Sequence, residues 1–170
     1  SILIKDAAFE RNPNLKTLVI RAAEVNMDAN AYSFCTNLDS LYLSTSVRSL
    51  FGLPAQFSNV YSCVGRLCGC SEGYGRDVSL VGSSEMFRCK ACETGETSEG
   101  LHATCLKCPL GSYGASTSRS CKLCTPGKYG IKEGGQSETE SCRVSPRGAF
   151  TAVSGSSAYL LCPAGTFCPN

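Results

Sequence analysis

Apolar positions in the first fifty residues recur at a fixed offset. Leu15-Lys-Thr-Leu18-Val-Ile20 is matched by Leu38-Asp-Ser-Leu41-Tyr-Leu43, 23 positions later. The flanks agree: Ala8-Phe9 with Ala31-Tyr32, Asn14 with Asn37, Ile4 with Met27, and Met27 with Leu50. A sustained period of this length predicts stacked repeat units. Alternate apolar residues in Leu-x-Leu predict a short strand whose leucines face a shared core. The Ala-Phe/Tyr segment is then the returning side of each unit. Gly52-Leu-Pro54 ends this register, and Gln56 to Tyr61 form a join.

Beyond the join the punctuation is cysteine. A doublet returns as Cys89-Lys-Ala-Cys92, Cys105-Leu-Lys-Cys108 and Cys121-Lys-Leu-Cys124. Three positions after the second cysteine stands Gly95, Gly111 or Gly127, and the same offset links Cys70 to Gly73 and Cys162 to Gly165. An aromatic often follows: Tyr113, Tyr129, Phe167. Cys142-Arg-Val-Ser145 and Tyr159-Leu-Leu-Cys162 each lack one cysteine. If the second cysteine of a doublet bonds the first of the next, the two absences are one missing pair. The separations agree, 92 to 105 and 108 to 121 each being thirteen and 145 to 159 fourteen. The expected bridges are Cys70–Cys89, Cys92–Cys105, Cys108–Cys121 and Cys124–Cys142, with Cys63–Cys68 closing a short loop. Cys162 and Cys168 complete the set of twelve half-cystines, with their pairing open. By the same rule the next partner of Cys162 lies beyond residue 170. Residues 71–88 read as a long loop with a strand and turn near Asp77 to Gly82. Residues 143–160, lacking their bridge, read as the least constrained loop. No helix of consequence is expected.

Thirteen of 170 residues are cysteine and none is tryptophan, a density that belongs to oxidised, extracellular scaffolds. The odd count leaves one thiol over, and Cys35, on the core side of its repeat, is the natural candidate. Net charge is +2 with the 16 basic residues scattered, so nucleic acid is not an expected partner. No apolar run reaches the ~20 residues of a membrane span. The first residues do not read as a secretory leader, so an extracellular chain is expected to be either mature or a fragment of a longer precursor, and no Asn-x-Ser/Thr sequon occurs. Ser116-Thr-Ser118 and Ser154-Gly-Ser-Ser157 are places where O-glycans would fit.

The phrase Ala31-Tyr-Ser-Phe-Cys35-Thr-Asn-Leu38-Asp-Ser-Leu41-Tyr-Leu43-Ser-Thr-Ser-Val47 resembles the BspA-like class of leucine-rich repeats, over about residues 1–51. Ser44 stands where that class often has proline. The unit Cys-x-x-Cys-x-x-Gly-x-Tyr/Phe resembles the ephrin-receptor-like cysteine-rich repeat, a relative in style of TNF-receptor and EGF-like modules, over about residues 63–170. The first resemblance implies a solenoid used for surface binding or adhesion. The second implies rod-like ectodomains, and neither brings catalytic residues. The expected fold class is mainly β with low regular structure. A short leucine-rich-repeat solenoid stub spans 1–60, and an extended disulfide-laddered cysteine-rich rod spans 61–170. In that ladder each unit touches only its neighbours, the repeated glycine takes a positive φ, and the aromatic covers the bridge.

Two Cys-x-x-Cys pairs at 89/92 and 105/108 would ordinarily read as a zinc site. The third doublet continues the period and needs its own partner, so disulfides are expected and no metal. A thioredoxin-like motif needs a βαβ context that is absent. His102 is the only histidine, with no catalytic constellation around it. Glu93, Glu96 and Glu99, echoed by Glu133, Glu138 and Glu140, lack the spacing of a calcium loop and read as solvated faces. The chain is therefore expected to be no enzyme and to hold no cofactor. The leading expectation is an extracellular structural or adhesive subunit, secreted or at the cell surface; the alternative is a ligand-binding receptor ectodomain. Ser1-Ile-Leu-Ile4 aligns with the tail of a repeat, and two repeats without a polar cap leave an open end. Ile2, Ile4, Leu15, Leu18 and Ile20 are the expected assembly interface, in a head-to-tail homo-oligomer or filament. The Cys162-to-Asn170 segment is the expected donor on the neighbouring copy. Other surface proteins and glycans are further candidate partners.

Overall fold

The computed structural model describes residues 1–5, 8–28, 30–114 and 118–168. Ser116 and Thr117, in one candidate glycan tract, and residues 169–170 of the expected donor segment lie outside them. The chain is mainly β with many disulfides, and the helices among the described residues are two four-residue turns. Ser1–Lys90 with Gly100–Thr104 form one compact unit, and Ala91–Glu99 with Cys105–Asn170 a second. The division falls after Lys90, thirty residues beyond the change in composition, because the following hairpin belongs to the first core.

In the first unit β1 (Ile2–Ile4), β2 (Thr17–Ile20), β3 (Glu24–Met27), β4 (Ser40–Ser44) and β5 (Ser49–Phe51) are all short. β1, β3 and β5 form one parallel sheet, with Ile2 beside Val25 and Ile4 beside Met27. β2 and β4 pair in parallel, Leu18 beside Leu41 and Ile20 beside Leu43. The 23-residue offset thus reappears as strand register. It extends to backbone conformation, for Arg11 (φ 55) and Phe34 (φ 65) are both left-handed. The expected match of Met27 with Leu50 is corrected: Val25 is the partner of Leu50. Two more residues precede β5, and the outward Ser44-to-Val47 turn takes them up.

α1 (Ala55–Ser58), β6 (Tyr61–Val64), β7 (Leu67–Cys70), β8 (Tyr74–Val81) and β9 (Ser84–Ala91) complete this unit. The long loop expected over 71–88 is a hairpin, β8 and β9 joined through Gly82-Ser83. It extends the second sheet in the order β2-β4-β9-β8, with Leu43 beside Phe87 and Ser44 beside Met86 in antiparallel register. Phe87 is fully buried in the apolar core, which is why this strand joins it, and Met86, on the opposite face, is buried as well. Tyr61 fastens the layers. Its hydroxyl donates to the Leu41 carbonyl and accepts from the Cys89 N–H at 3.2 Å. Its ring meets Phe57 edge-on at 6.2 Å and Phe87 at 6.1 Å. Desolvation of that phenol pushes its pKa up to about 12. Cys35 is the one free cysteine, buried, its thiol donating to the Phe9 carbonyl at 2.9 Å.

The second unit holds β10 (Glu96–Thr97), β11 (Leu106–Lys107), β12 (Ser112–Tyr113), β13 (Lys122–Leu123), β14 (Lys128–Gly130), α2 (Glu138–Ser141), β15 (Cys142–Val144), β16 (Ala149–Phe150) and β17 (Leu160–Leu161). One rule joins them. The strand after each repeat glycine pairs with the two residues inside the next doublet: β10 with β11, β12 with β13, β14 with β15, β16 with β17, all antiparallel. The disulfides are Cys63–Cys68, Cys70–Cys89, Cys92–Cys105, Cys108–Cys121, Cys124–Cys142 and Cys162–Cys168. The last corrects the expectation that the partner of Cys162 lies beyond the chain: Cys168 is six residues on. A bridge over a 13-residue loop contributes about 3 kcal/mol in the chain-entropy account, which offsets the small core of such units.

Candidate interaction surfaces

The five expected assembly residues do not share one surface. Ile4, Leu18 and Ile20 are buried in the first unit's own core, and Leu15 packs half-buried against it. Only Ile2 is open, at 39 %. Strand alternation explains the correction: Ile4, Val25 and Met27 point inward, whereas Leu3, Asn26 and Phe51 point outward. Beside Ile2, the exposed apolar groups on this sheet are therefore Leu3 and Phe51, and Val19 is exposed on β2 of the other sheet. A concavity of about 350 Å³ lies there, lined by Ser1 to Leu3, Glu24 to Asn26, Ser49 and Phe51. β1 ends one sheet and β2 the other, so each carries an edge with no strand beside it among the described residues.

The repeat glycines shape the second unit. Gly95, Gly111, Gly127, Gly148 and Gly165 all have φ between 78° and 87°, the left-handed turn that a Cβ disfavours. At two of them space is also required. A Cβ on Gly95 would lie 2.0 Å from the Gly134 carbonyl oxygen, and one on Gly111 2.1 Å from that of Gly155. These contacts skip a repeat, so the neighbour-only ladder is corrected to one in which the Gly134 and Gly155 turns reach back two units. The expectation of a loose 143–160 loop is corrected for the same reason. Gly155 N–H donates to Cys124, Gly130 N–H to Ser156 and Gly127 N–H to Thr151.

The aromatics do not act alike. Tyr113, Tyr129 and Phe150 are half-buried, and Tyr129 meets Tyr159 edge-on at 5.0 Å. Phe167 is 88 % exposed, unlike the half-buried aromatics of the earlier repeats, which corrects the expectation that all of them pack alike. Leu106, Leu123 and Val144, and both Leu160 and Leu161, lie inside successive later doublets and are exposed as well. The sequence places these apolar residues between the doublet cysteines but carries no periodic signal that tells whether they face water.

The candidate chemical groups are structurally occupied or open to solvent. All four cysteines of the zinc reading are in disulfides, and no group of three or more His, Cys, Asp or Glu is placed to hold a metal among the described residues. His102 is exposed. Glu138 accepts from Thr125 and pairs with Lys128 at 3.1 Å. Glu140 accepts from Gln136 N–H and pairs with Lys132. Those hydrogen bonds hold both carboxyls below the usual carboxylate range. Arg88 donates to Asp77 at 3.0 Å and lies 5.6 Å from the Tyr42 ring centroid, and the Asp77 bond raises its pKa. Arg76 stacks over Phe87 at 4.3 Å, where desolvation lowers its pKa. Among the described residues no helix is long and apolar enough to cross a membrane. No family model matches the chain, and no curated protein matches it.

Proposed function

We propose that this chain is an extracellular structural or adhesive protein, a non-enzymatic subunit that associates with further copies of itself. In this reading residues 1–51 are BspA-like leucine-rich repeats, supported by the parallel 23-residue register of β2 on β4. Residues 63–170 are ephrin-receptor-like repeats, supported by the bridges between successive doublets and by the left-handed glycines. Six disulfides suit an oxidising compartment.

The observation that carries self-association is the free edge of β1 with Ile2, Leu3 and nearby Phe51 exposed. An unpaired strand edge beside exposed apolar side chains is a template for another chain. The partner is a second copy, and a contact that does not close on itself gives a filament. Electron microscopy of concentrated native protein tests this. Filaments lost in the Ile2→Lys, Leu3→Lys double variant support it; a monodisperse monomer at every concentration overturns it. The alternative, a ligand-binding ectodomain, draws on the concavity beside Ile2 and would be favoured by that monomer.

A further inference from the structure

Two turns of the cysteine-rich unit sit in their places by the same three contacts. For Gly134-Gly135, the Gly134 N–H donates to the Cys108 carbonyl at 2.8 Å, and the Gly135 carbonyl accepts from the Gly114 N–H at 3.1 Å. The Gly134 carbonyl lies over Gly95. For Gly155-Ser156, the Gly155 N–H donates to the Cys124 carbonyl at 3.0 Å, and the Ser156 carbonyl accepts from the Gly130 N–H at 2.8 Å. The Gly155 carbonyl lies over Gly111. In both, the side chain just before the seat's cysteine rests on the turn glycine. A Cβ on Gly134 would be 3.3 Å from Lys107, and one on Gly155 would be 3.0 Å from Leu123.

Advance the seat by one repeat and its parts are Gly127, Val144, Ser145 and Thr151. Among the described residues, no turn makes the contacts that fill the other two seats. Nothing lies within 4 Å of a Cβ placed on Gly127. The Ser145 carbonyl and the Thr151 N–H have no backbone hydrogen bond among the described residues, although both residues are buried. Buried backbone groups without partners are costly and rare, and here a donor and an acceptor share one prepared seat.

We propose that Gly127, Val144, Ser145 and Thr151 form a docking seat for the glycyl turn of a further cysteine-rich repeat. The occupant is defined by backbone chemistry. Its first residue supplies an N–H to Ser145, has positive φ, and lacks a Cβ, since Val144 closes on that position as Leu123 does on Gly155. Its second residue supplies a carbonyl to the Thr151 N–H. The Gly134 and Gly155 turns of a second copy are already seated in their own chain, so the occupant is a repeat other than these. The seat uses neither β1 nor β2 and stands apart from the self-association proposed above.

The test uses the isotope-labelled full chain and a synthetic peptide with the sequence of residues 149–161, which carries the Gly155-Ser156 turn. A control peptide carries Gly155→Val. In the dilute chain alone the Thr151 amide should exchange faster than those of Gly114 and Gly130. At saturation the turn peptide should slow that exchange by about tenfold, the protection expected of one new backbone hydrogen bond. Resonances of Val144 and Thr151 should shift. The control peptide should have no effect. A Gly127→Ala chain, whose methyl would stand where the turn carbonyl lies over Gly95 and Gly111, should keep its disulfides and Gly130 protection but lose the response. The seat is disproved if Thr151 is already as protected as Gly130, or if both peptides act alike. Protection that grows with protein concentration alone would make the occupant a second copy and overturn the assignment.

Discussion

Ser145 Oγ and Thr151 Oγ1 lie 3.2 Å apart, both buried, where an earlier repeat has Cys108 and Gly114. A Cβ on Gly114 would come within 3.0 Å of the Cys108 sulfur. The smaller serine oxygen is what makes room for the threonine. The lost bridge and the gained side chain are thus one exchange. The strands are unchanged by it, since Phe150 pairs with Leu160 as Tyr113 does with Lys122. Ser145→Cys with Tyr159→Cys should therefore oxidise incompletely while Thr151 remains. Adding Thr151→Gly should close the bridge and raise stability by up to about 3 kcal/mol. Thiol titration and thermal unfolding read both outcomes; a double variant that oxidises as fully as the triple refutes the crowding.

Tyr61 ties β4 to β9 through two hydrogen bonds. Tyr61→Phe leaves the Leu41 carbonyl and the Cys89 N–H unpaired and should cost about 1–3 kcal/mol, measured by denaturant unfolding. Alkali should show the same group. Burial pushes the pKa of Tyr61 and of Tyr32 up to about 12, from about 10 when unfolded. The unfolded chain releases these protons first, so their contribution is complete below pH ~10 and disappears as pH rises through ~12. Phenolate absorbance should show two tyrosines titrating late, and one in Tyr61→Phe.

Gly111 and Gly148 have the same backbone conformation but different surroundings. Gly148→Ala meets open space and should cost only the left-handed penalty of about 1–2 kcal/mol. Gly111→Ala drives a methyl into the Gly155 carbonyl as well and should add another 1–3 kcal/mol or so. Equal losses in urea unfolding would show that conformation alone sets the requirement.

Neighbouring positions on β1 should separate packing from association. Ile4→Lys puts a charge into the core and should cost more than about 3 kcal/mol. Leu3→Lys is on the outer face and should leave the melting temperature within a degree or two while weakening sedimentation-detected self-association.

Reduction should act unevenly. The second unit has few buried apolar groups besides its cysteines, whereas the first keeps Leu41, Leu43, Val25 and Phe87 in a continuous core. With reductant, limited proteolysis should cut residues 105–168 first and residues 1–60 last. Chelator should reproduce none of this.

Periodicity made much of this molecule readable. The 23-residue offset anticipated that Leu18 lies beside Leu41, and the joint absence at Ser145 and Tyr159 pointed to bonds between successive doublets. What it could not give was non-periodic. β9 joins β4 through Met86 and Phe87, a short apolar pair inside a polar strand, and no local pattern names its partner. The Cys162–Cys168 bridge breaks the doublet spacing. Interface residues were misplaced because core alignment marks Ile4 and Ile20 as apolar, not as unburied. The seat at Gly127 needed the carbonyl positions of Gly134 and Gly155, which no spacing of side chains encodes.

The two-repeat reach of those turns imposes an order on maturation. Cys92 finds Cys105 thirteen residues on, so oxidation is possible soon after both emerge from synthesis. Gly95 is covered only when Gly134 arrives, and Gly111 only with Gly155. Covalent closure thus runs ahead of packing along the nascent chain. The glycine turns of these two repeats stay uncovered until the second repeat behind arrives, which leaves a travelling interval in which the chain is crosslinked but not yet packed.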